Sequence, residues 1–231
     1  MKRKYSKRFK KLLDISKEKK PLLIDDVISK VKNNCTTKFD ESIDVSFLLN
    51  LKQKKEKFNL RTVVNLPNGN GKKVKVAVLC EEGKISEAKD SGAELYESES
   101  LVNDITSGKI KFDTLVATPA MMKKMAKLGK VLGPKGLMPN PKLGTVTNNI
   151  KSTVKAIKAG QIEIKNDEDG NLGASIGKKC FADIKIKENF DSLLQAISKE
   201  KPSGIKGNFI QSAFLTSTMG VSYKLKLANK L

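Results

Sequence analysis

The sequence has no histidine, only three cysteines and only three arginines among its 231 residues. The absence of histidine removes the usual general base and the commonest metal ligand. Cys35, Cys80 and Cys180 are odd in number and widely spaced, which predicts buried thiols in a reducing compartment rather than disulfides or a zinc site. We therefore expect no metal site and no cofactor.

Long apolar runs are also missing. No stretch approaches the roughly 18 to 20 apolar residues of a membrane-spanning helix, so an acidic membrane surface is a poor candidate partner. The amino terminus, MKRKYSKRFKKLLD, is basic but lacks the apolar segment of a secretory signal. Asp14 and Glu18 argue against a cleaved transit peptide. We expect no membrane partner.

Nucleotide-binding motifs are absent as well. The stretch Gly69-Asn70-Gly71-Lys72-Lys73-Val74 lacks the third glycine of a dinucleotide loop, and it precedes a predicted strand where the motif should follow one. No segment has the spacing of a P-loop. The paired carboxylates Glu81-Glu82 and Asp40-Glu41 have no nucleophile or metal ligand beside them. The sequence therefore predicts a protein that is not an enzyme.

Positive charge is abundant. Lysine and arginine number 45 against 25 acidic residues, a net charge of +20 that predicts a polyanionic partner, by default nucleic acid. Nearly all of these cations are lysines, which suit phosphate better than base edges. Residues 1 to 20 are especially basic, and two interpretations stay open: a basic arm, or a solvated helix face whose apolar edge is Phe9, Leu12 and Leu13.

Hydrophobic periodicity predicts the same kinds of element, amphipathic helices and half-buried strands, in both terminal parts of the chain. A helix with 3, 4, 7 spacing is predicted at Ile24 to Val31, and a two-residue period predicts strands at Ile43 to Leu49 and Phe58 to Leu66, which form a two-strand unit. After Gly160 the same alternation returns. The predicted elements there are strands at Ile162 to Ile164, Leu172 to Ile176, Asn208 to Ser217 and Val221 to Leu227, and a helix over Phe190 to Ile197.

The middle of the chain follows a different pattern. Continuous apolar runs at Val74 to Cys80 and Thr114 to Ala117 alternate with predicted helices, which is typical of a parallel sheet. The helices are expected at Ser86 to Ser91, from Pro119, and from Thr147 or Asn148 to Gly160.

Together these patterns predict two domains. Residues 1–69 and 159–231 form an α+β domain, an antiparallel sheet with helices, and residues 70–158 form an inserted α/β, Rossmann-like parallel-sheet domain. Most of the excess positive charge falls outside 70–158. The two-ended domain is therefore expected to be the main RNA-binding part.

Residues 129–144 read GKVLGPKGLMPNPKLG and combine three prolines and four glycines with five apolar side chains. Neither a helix nor a strand accommodates that spacing, so we predict a shaped, irregular loop that packs on something. With Thr145 and Val146 it resembles the motif of the ribosomal protein L-one family. The resemblance continues over nearly the whole chain, at Ser6-Lys7-Arg8-Phe9, Thr37 to Glu41, Leu66-Pro67-Asn68-Gly69, Ala117-Thr118-Pro119 and Thr218-Met219-Gly220.

The resemblance implies a large-subunit ribosomal protein that binds the ribosomal RNA of the mobile side stalk. It also implies that the protein assists release of exit-site tRNA, represses translation of its own mRNA, and is a monomer off the ribosome. The location it implies is the ribosome, in a bacterial cytoplasm or in an organelle stroma or matrix. The alternative is a general basic RNA- or DNA-binding protein, which would lose cognate and random affinity together as salt rises.

The polar cluster at 216–220 is the first candidate site. Hydroxyls can contact 2′-OH groups and phosphate, and glycine lets a backbone approach closely, although an ordinary strand turn would look the same. The resemblance implies that Thr218, Met219 and Gly220 contact ribosomal RNA and that Thr37 to Glu41 form the other half of the surface. The predicted RNA-binding residues are Asp26, Lys38, Phe39, Glu41, Asn166, Lys178, Ser212, Thr216, Ser217, Thr218, Met219 and Gly220.

Two positions depart from the family pattern. Leu23 precedes the helix at Ile24 where the family usually has threonine, so the capping box is lost while Asp26 is kept. Gly173 lies where relatives often carry histidine, so any RNA contact from that side chain is absent.

Overall fold

The computed structural model describes residues 5–17, 20–50, 59–97, 105, 111–202 and 207–227. The chain divides into two compact units, Met1–Gly71 with Ile164–Leu231 and Lys72–Glu163. We call them the two-ended unit and the middle unit. The start of the predicted basic arm, residues 1–4, and the predicted strand start at Phe58 lie outside the described residues.

Both units contain helices and strands. The helices are α1 (Lys7–Ile15), α2 (Ile24–Asn33), α3 (Ile85–Asp90), α4 (Met122–Met125), α5 (Gly129–Leu132), α6 (Ile150–Ala159) and α7 (Asp183–Lys199). The strands are β1 (Ser42–Leu49), β2 (Arg61–Asn65), β3 (Val76–Leu79), β4 (Leu95–Glu97), β5 (Thr114–Ala117), β6 (Gln161–Lys165), β7 (Asn171–Lys178), β8 (Ile210–Ser217) and β9 (Tyr223–Lys224). None of the described helices has the length and apolar character needed to cross a membrane.

The two-ended unit is built on an antiparallel sheet with strand order β7-β1-β8-β9. Alternate residues of β1 are buried, from Ile43 to Leu49, and α2 and α7 pack against this unit's strands. Phe47 of β1 stacks on Phe190 of α7 with ring centroids 5.9 Å apart. The predicted antiparallel sheet with helices is confirmed.

The other face of this sheet is polar and open. Asp44 and Ser46 of β1 point to it, and they lie opposite Thr216 and Phe214 of β8 in the register. These side chains are half-buried or exposed, while their neighbours along each strand are buried. The two-residue period of a strand thus separates a core face from a face available to a partner.

The middle unit contains a parallel three-stranded sheet with order β4-β3-β5. Every residue of β3 is buried, because apolar side chains cover both faces of the sheet. Ala77 and Leu79 point into one core cluster, and Val76 and Val78 into another. The predicted parallel sheet is confirmed, and the continuous apolar runs have the expected cause.

The loop at residues 129–144 was expected to contain no helix, and this is wrong at its start. Gly129–Leu132 forms the short helix α5, and Pro141–Leu143 form a 3₁₀ turn. The expectation that it packs is confirmed, since Leu132 and Leu143 are buried and Leu137 packs against the core of the middle unit. Gly133 is required sterically, because a Cβ there would lie 2.6 Å from the Gly129 carbonyl oxygen.

Three local expectations are wrong. The first two predicted strands do not pair, since β1 lies between β7 and β8 while β2 pairs with β6. The N-cap of helix α6 is Asn149 and not the predicted Thr147 or Asn148, although the helix ends as predicted at Gly160, whose φ is +115°. Cys180 is exposed, although Cys35 and Cys80 are buried as expected.

Helix α1 resolves the two interpretations of the amino terminus over residues 7–15. Ser6 caps the helix by accepting a hydrogen bond from the Phe9 N–H at 3.2 Å. Leu12 is buried, while the lysines of this helix are exposed. These residues form a helix with a solvated basic face and a narrow apolar edge.

Candidate RNA interface

The two halves of the predicted surface meet at one end of the antiparallel sheet. The segment Thr36–Glu41 leads into β1, and the turn Thr218–Gly220 follows β8. Strands β1 and β8 pair with Ile43 opposite Ser217, which brings the start of one strand to the end of the other. Residues separated by about 180 positions in the sequence therefore form one continuous surface.

The buried side chain of Glu41 connects the Thr36–Glu41 segment to the Thr218–Gly220 turn. Its side chain is fully buried, although the sequence suggested an RNA contact. One carboxylate oxygen accepts hydrogen bonds from the Thr37 hydroxyl at 2.7 Å and the Thr37 N–H at 3.4 Å. The other oxygen accepts from the Met219 N–H at 3.0 Å. This carboxylate positions both segments, and its direct contact with RNA stays a prediction.

These hydrogen bonds set the ionisation of Glu41. Burial by itself raises the pKa of a carboxyl group, because it penalises the charged form. The donors on Thr37 and Met219, with the nearby Ser217 hydroxyl, outweigh burial and lower the pKa of Glu41 below its ordinary value. The group is a carboxylate at neutral pH and accepts its bonds as an anion.

Thr218 is also tied to the strand beside it. Its hydroxyl accepts a hydrogen bond from the Ser42 N–H at 3.0 Å, and its own N–H donates to the Ser42 carbonyl at 3.1 Å. The residue is nevertheless exposed. The family resemblance implied an RNA contact for this residue, and that contact stays a prediction. The structure gives it a second use, which is to fix the turn to β1.

Arg8 fastens the turn from the opposite side. Its guanidinium donates to the Met219 carbonyl at 2.7 Å and to the Thr36 hydroxyl at 2.7 Å. The backbone of Met219 is therefore held at its N–H by Glu41 and at its carbonyl by Arg8. Sequence reasoning placed Arg8 in a basic segment and missed this role. Its rarity was a usable signal, since a planar fork of donors is what arginine offers and lysine lacks.

Gly220 ends the turn and lies close to the Ser217 side chain. A Cβ at this position would lie 2.2 Å from the Ser217 Oγ, well inside van der Waals contact. The Ser217 Oγ is buried and makes no hydrogen bond of normal geometry with any described residue. The side chain of Ser217 thus occupies the space that glycine leaves free. A larger residue here would require the Ser217 side chain to move, and the φ at this position is not unusual.

The tethers leave two large side chains facing outward. Phe39 is 54% exposed and Met219 is 49% exposed, and Lys38 beside them is exposed as well. An aromatic ring and a thioether can pack against bases or sugars, and a lysine can neutralise phosphate. Because the backbone beneath Met219 is fixed, it loses little further freedom on binding.

The remaining predicted residues occupy four other places. Ser212 and Thr216 lie half-buried on the open face of the sheet, and Lys178 lies at the end of β7 opposite Ser42. Asp26 is exposed in the first turn of α2, where Leu23 supplies no capping bond, as expected.

Asn166 has structural partners. It is largely buried, its side-chain oxygen accepts from the Leu60 N–H at 2.6 Å, and its amide donates to the Asp167 carbonyl at 2.8 Å. Its contact with RNA stays a prediction. Gly173 lies on the open face, where a Cβ would meet nothing within 4 Å, so packing does not demand glycine there.

Comparison with known proteins agrees with this architecture. A sequence model of the Ribosomal protein L1p/L10e family matches residues 31–221. The chain is 55% identical over 227 residues to large ribosomal subunit protein uL1 of Pelagibacter ubique (strain HTCC1062), covering 98% of this chain and 99% of the relative. It is 46% identical over 204 residues to large ribosomal subunit protein uL1c of Phaeodactylum tricornutum (strain CCAP 1055/1), covering 88% and 89%.

A third relative extends the range of sources. Large ribosomal subunit protein uL1 of Fervidobacterium nodosum (strain ATCC 35602 / DSM 5306 / Rt17-B1) is 41% identical over 225 residues, covering 97% of this chain and 96% of the relative. These relatives are ribosomal proteins and not enzymes, in agreement with the prediction from the missing catalytic motifs. The family match covers most of the chain and includes both halves of the surface described above. This chain belongs to the Ribosomal protein L1p/L10e family.

Proposed function

We propose that this protein is a component of the large ribosomal subunit and binds the ribosomal RNA of the side stalk through the surface formed by Thr36–Glu41 and Thr218–Gly220. The observation that carries the proposal is the fixation of the Met219 backbone between Glu41 and Arg8, with Phe39 and the Met219 side chain exposed. A surface held rigid before binding recognises one RNA shape at a low entropic cost.

Charge supports an RNA partner but not its identity. A net charge of +20 supplies affinity for any phosphate backbone, and lysines carry little base information. Discrimination must come from the uncharged part of the surface. A general basic RNA- or DNA-binding protein is the competing function, and it would need no fixed turn.

Electrophoretic competition between a stalk rRNA fragment and random duplex RNA, over rising salt, tests the proposal. We expect affinity for both RNAs to fall with salt while the ratio of cognate to random affinity stays large. The Phe39→Ala variant keeps every charge and every backbone hydrogen bond of the turn. It therefore separates the contribution of the exposed ring to RNA affinity from the contribution of charge. If wild type binds both RNAs equally at each salt concentration, the general binder is the better description.

We propose further that RNA affinity resides in the domain made of residues 1–69 and 159–231, with residues 70–158 inserted. A protein in which residues 1–68 are joined to 159–231 by a short glycine linker is expected to fold and to retain most stalk-RNA affinity. Residues 70–158 alone serve as the comparison. Equal RNA binding by the two pieces would contradict this division.

Two finer roles complete the proposal: assistance in releasing exit-site tRNA, and repression of the protein's own mRNA by a site that mimics the ribosomal one. Both rest on the family resemblance and on the basic surface. Off the ribosome the protein is expected to be a monomer. Competition between the stalk rRNA fragment and the protein's own mRNA leader tests the second role, because one shared surface requires mutually exclusive binding.

A further inference from the structure

A groove of about 770 Å³ lies between helix α1 and the Thr218–Gly220 turn. Phe9, Leu12 and Leu13 of α1 form one wall, and Phe214 and Val221 contribute to the other. Leu12 is buried, but Phe9 and Leu13 are 43% and 39% exposed. The groove is therefore an apolar cleft open to solvent and directly continuous with the proposed RNA surface.

Exposed apolar side chains concentrate at this groove. Seven large apolar side chains are exposed in the part of the chain that the structure describes, and Phe9, Leu13 and Met219 are three of them. A fourth, Tyr5, contacts Phe9 with ring centroids 4.9 Å apart. Such clustering beside a binding turn marks a surface that a partner covers.

The charge around the groove indicates which partner. Arg8 and Lys224 line it, and none of the described residues that line it is acidic. Lys7, Lys10 and Lys11 are exposed on the same short helix. Apolar walls with a cationic rim suit a planar base joined to an anionic backbone, whereas an apolar protein segment would gain nothing from the rim.

We propose that this groove binds one unpaired base of the RNA that the Thr218–Gly220 turn recognises, with the base packed against Phe9. The proposal rests on the proposed function and names an additional subsite within it. Arg8 has a structural part here, because its bonds to Met219 and Thr36 hold α1 against the turn and so keep the groove open. The RNA surface then extends from the sheet edge onto α1.

The first test compares Phe9→Ala with Ile184→Ala. Ile184 is 71% exposed and does not line the groove, so it controls for the loss of an exposed apolar side chain. Phe9→Ala is expected to weaken binding of the stalk rRNA fragment by about 5-fold to 150-fold, the range that corresponds to about 1–3 kcal/mol for one stacked base. Ile184→Ala is expected to bind as wild type, and both variants should keep the wild-type thermal midpoint.

The second test identifies the base. Stalk rRNA fragments that each lack one base are titrated with wild type and with Phe9→Ala. One abasic position should weaken wild-type binding by about the same factor as Phe9→Ala, and its effect should disappear in that variant. Coupling of this kind requires that the base and the ring contact each other.

Two results would overturn the subsite. Phe9→Ala could bind the fragment as tightly as wild type, which would assign the groove to another partner. Alternatively, no abasic position could show coupling to Phe9. In both cases wild type would still discriminate stalk RNA from random duplex, so the proposed function would stand. Loss of that discrimination in wild type itself would instead refute the proposed function.

Discussion

The Thr218–Gly220 turn and the Gly129–Gly144 loop are both irregular segments that contain glycine, but different forces hold them. The turn is fixed by hydrogen bonds that Glu41 accepts and that Ser42 and Arg8 donate, and Met219 stays exposed. The loop is fixed by burying Leu132 and Leu143 in the core of its unit. Directional polar bonds can position a surface that stays open, whereas apolar burial stabilises a segment by removing it from solvent.

The largest expected effect lies in the apolar segment. Leu132 is 1% exposed, so Leu132→Ala should destabilise the middle unit by about 2–5 kcal/mol through lost burial and a cavity. Thermal unfolding and hydrogen exchange of β3 would measure this. Stalk-RNA affinity should stay near wild type, and half-buried Leu137→Ala is the control with a smaller loss. If Leu132→Ala also lowered RNA affinity at temperatures where the middle unit is folded, the proposed difference between the turn and the loop would be wrong.

Gly220→Ala in the turn should change RNA affinity, which Leu132→Ala in the loop should leave near wild type. The added Cβ would lie 2.2 Å from the Ser217 Oγ, so the buried Ser217 hydroxyl must rotate or the turn must shift, at about 1–3 kcal/mol for overpacking. We expect weaker binding of stalk RNA and little change in random-RNA affinity. The double variant Ser217→Ala with Gly220→Ala removes the colliding oxygen and should recover most cognate affinity. Failure of this rescue would show that the clash is not the cause.

Acid should loosen the turn before it affects the loop. Because the pKa of Glu41 is lowered in the folded protein, its carboxylate contributes stability that is present above the ordinary glutamate pKa of 4.5. That contribution is lost as the pH falls through the lower, folded pKa. Hydrogen exchange of the Met219 N–H from pH 7 to pH 3 would follow it.

The Glu41→Gln variant is the matched control for this pH effect. It removes the titration and replaces one carboxylate oxygen by an NH₂ group, so an N–H donor of Thr37 or Met219 is left poorly paired, for about 1–2 kcal/mol at neutral pH. Its stability should therefore show less dependence on acid than wild type. An unchanged pH profile in Glu41→Gln would mean that another group controls the turn.

Thr218→Val is expected to have the smallest effect on folding. The substitution removes the acceptor of the Ser42 N–H, but Thr218 is exposed, so water can replace the bond and the loss is about 0.5–1 kcal/mol. Thr218→Ser keeps the hydroxyl and should behave as wild type. Thermal midpoint and stalk-RNA affinity are measured together. A loss of affinity no larger than the loss of stability would make Thr218 a scaffold residue only.

Local signals predicted much of the fold. The period of two in β1, the apolar run of β3 and the glycine at position 160 gave elements that the structure contains. Strand pairing was less predictable, because β2 carries the same alternation whether its neighbour is β1 or β6. Register and neighbour depend on the packing of whole sheets and leave little trace in a short segment.

The candidate surface, like the fold, could be predicted only in part from the sequence. Met219, Phe39 and Gly220 were identified from residue type and family resemblance, and the structure places them together. Their supports were not identified, because Arg8 and Met219 are 211 positions apart and nothing in the sequence joins them. The burial of Glu41 also went unseen, since carboxylates are mostly exposed.

By itself the sequence determined the net charge, the alternation of buried and open strand faces, and the family, since each depends on residue type and spacing along the chain. Only the tertiary structure decided that Glu41 turns inward, that Thr218 bonds Ser42, and that Arg8 joins α1 to the turn. These bonds need donors and acceptors brought within about 3 Å by strand pairing. Sequence spacing does not encode that distance, because it exists only once the sheet has formed.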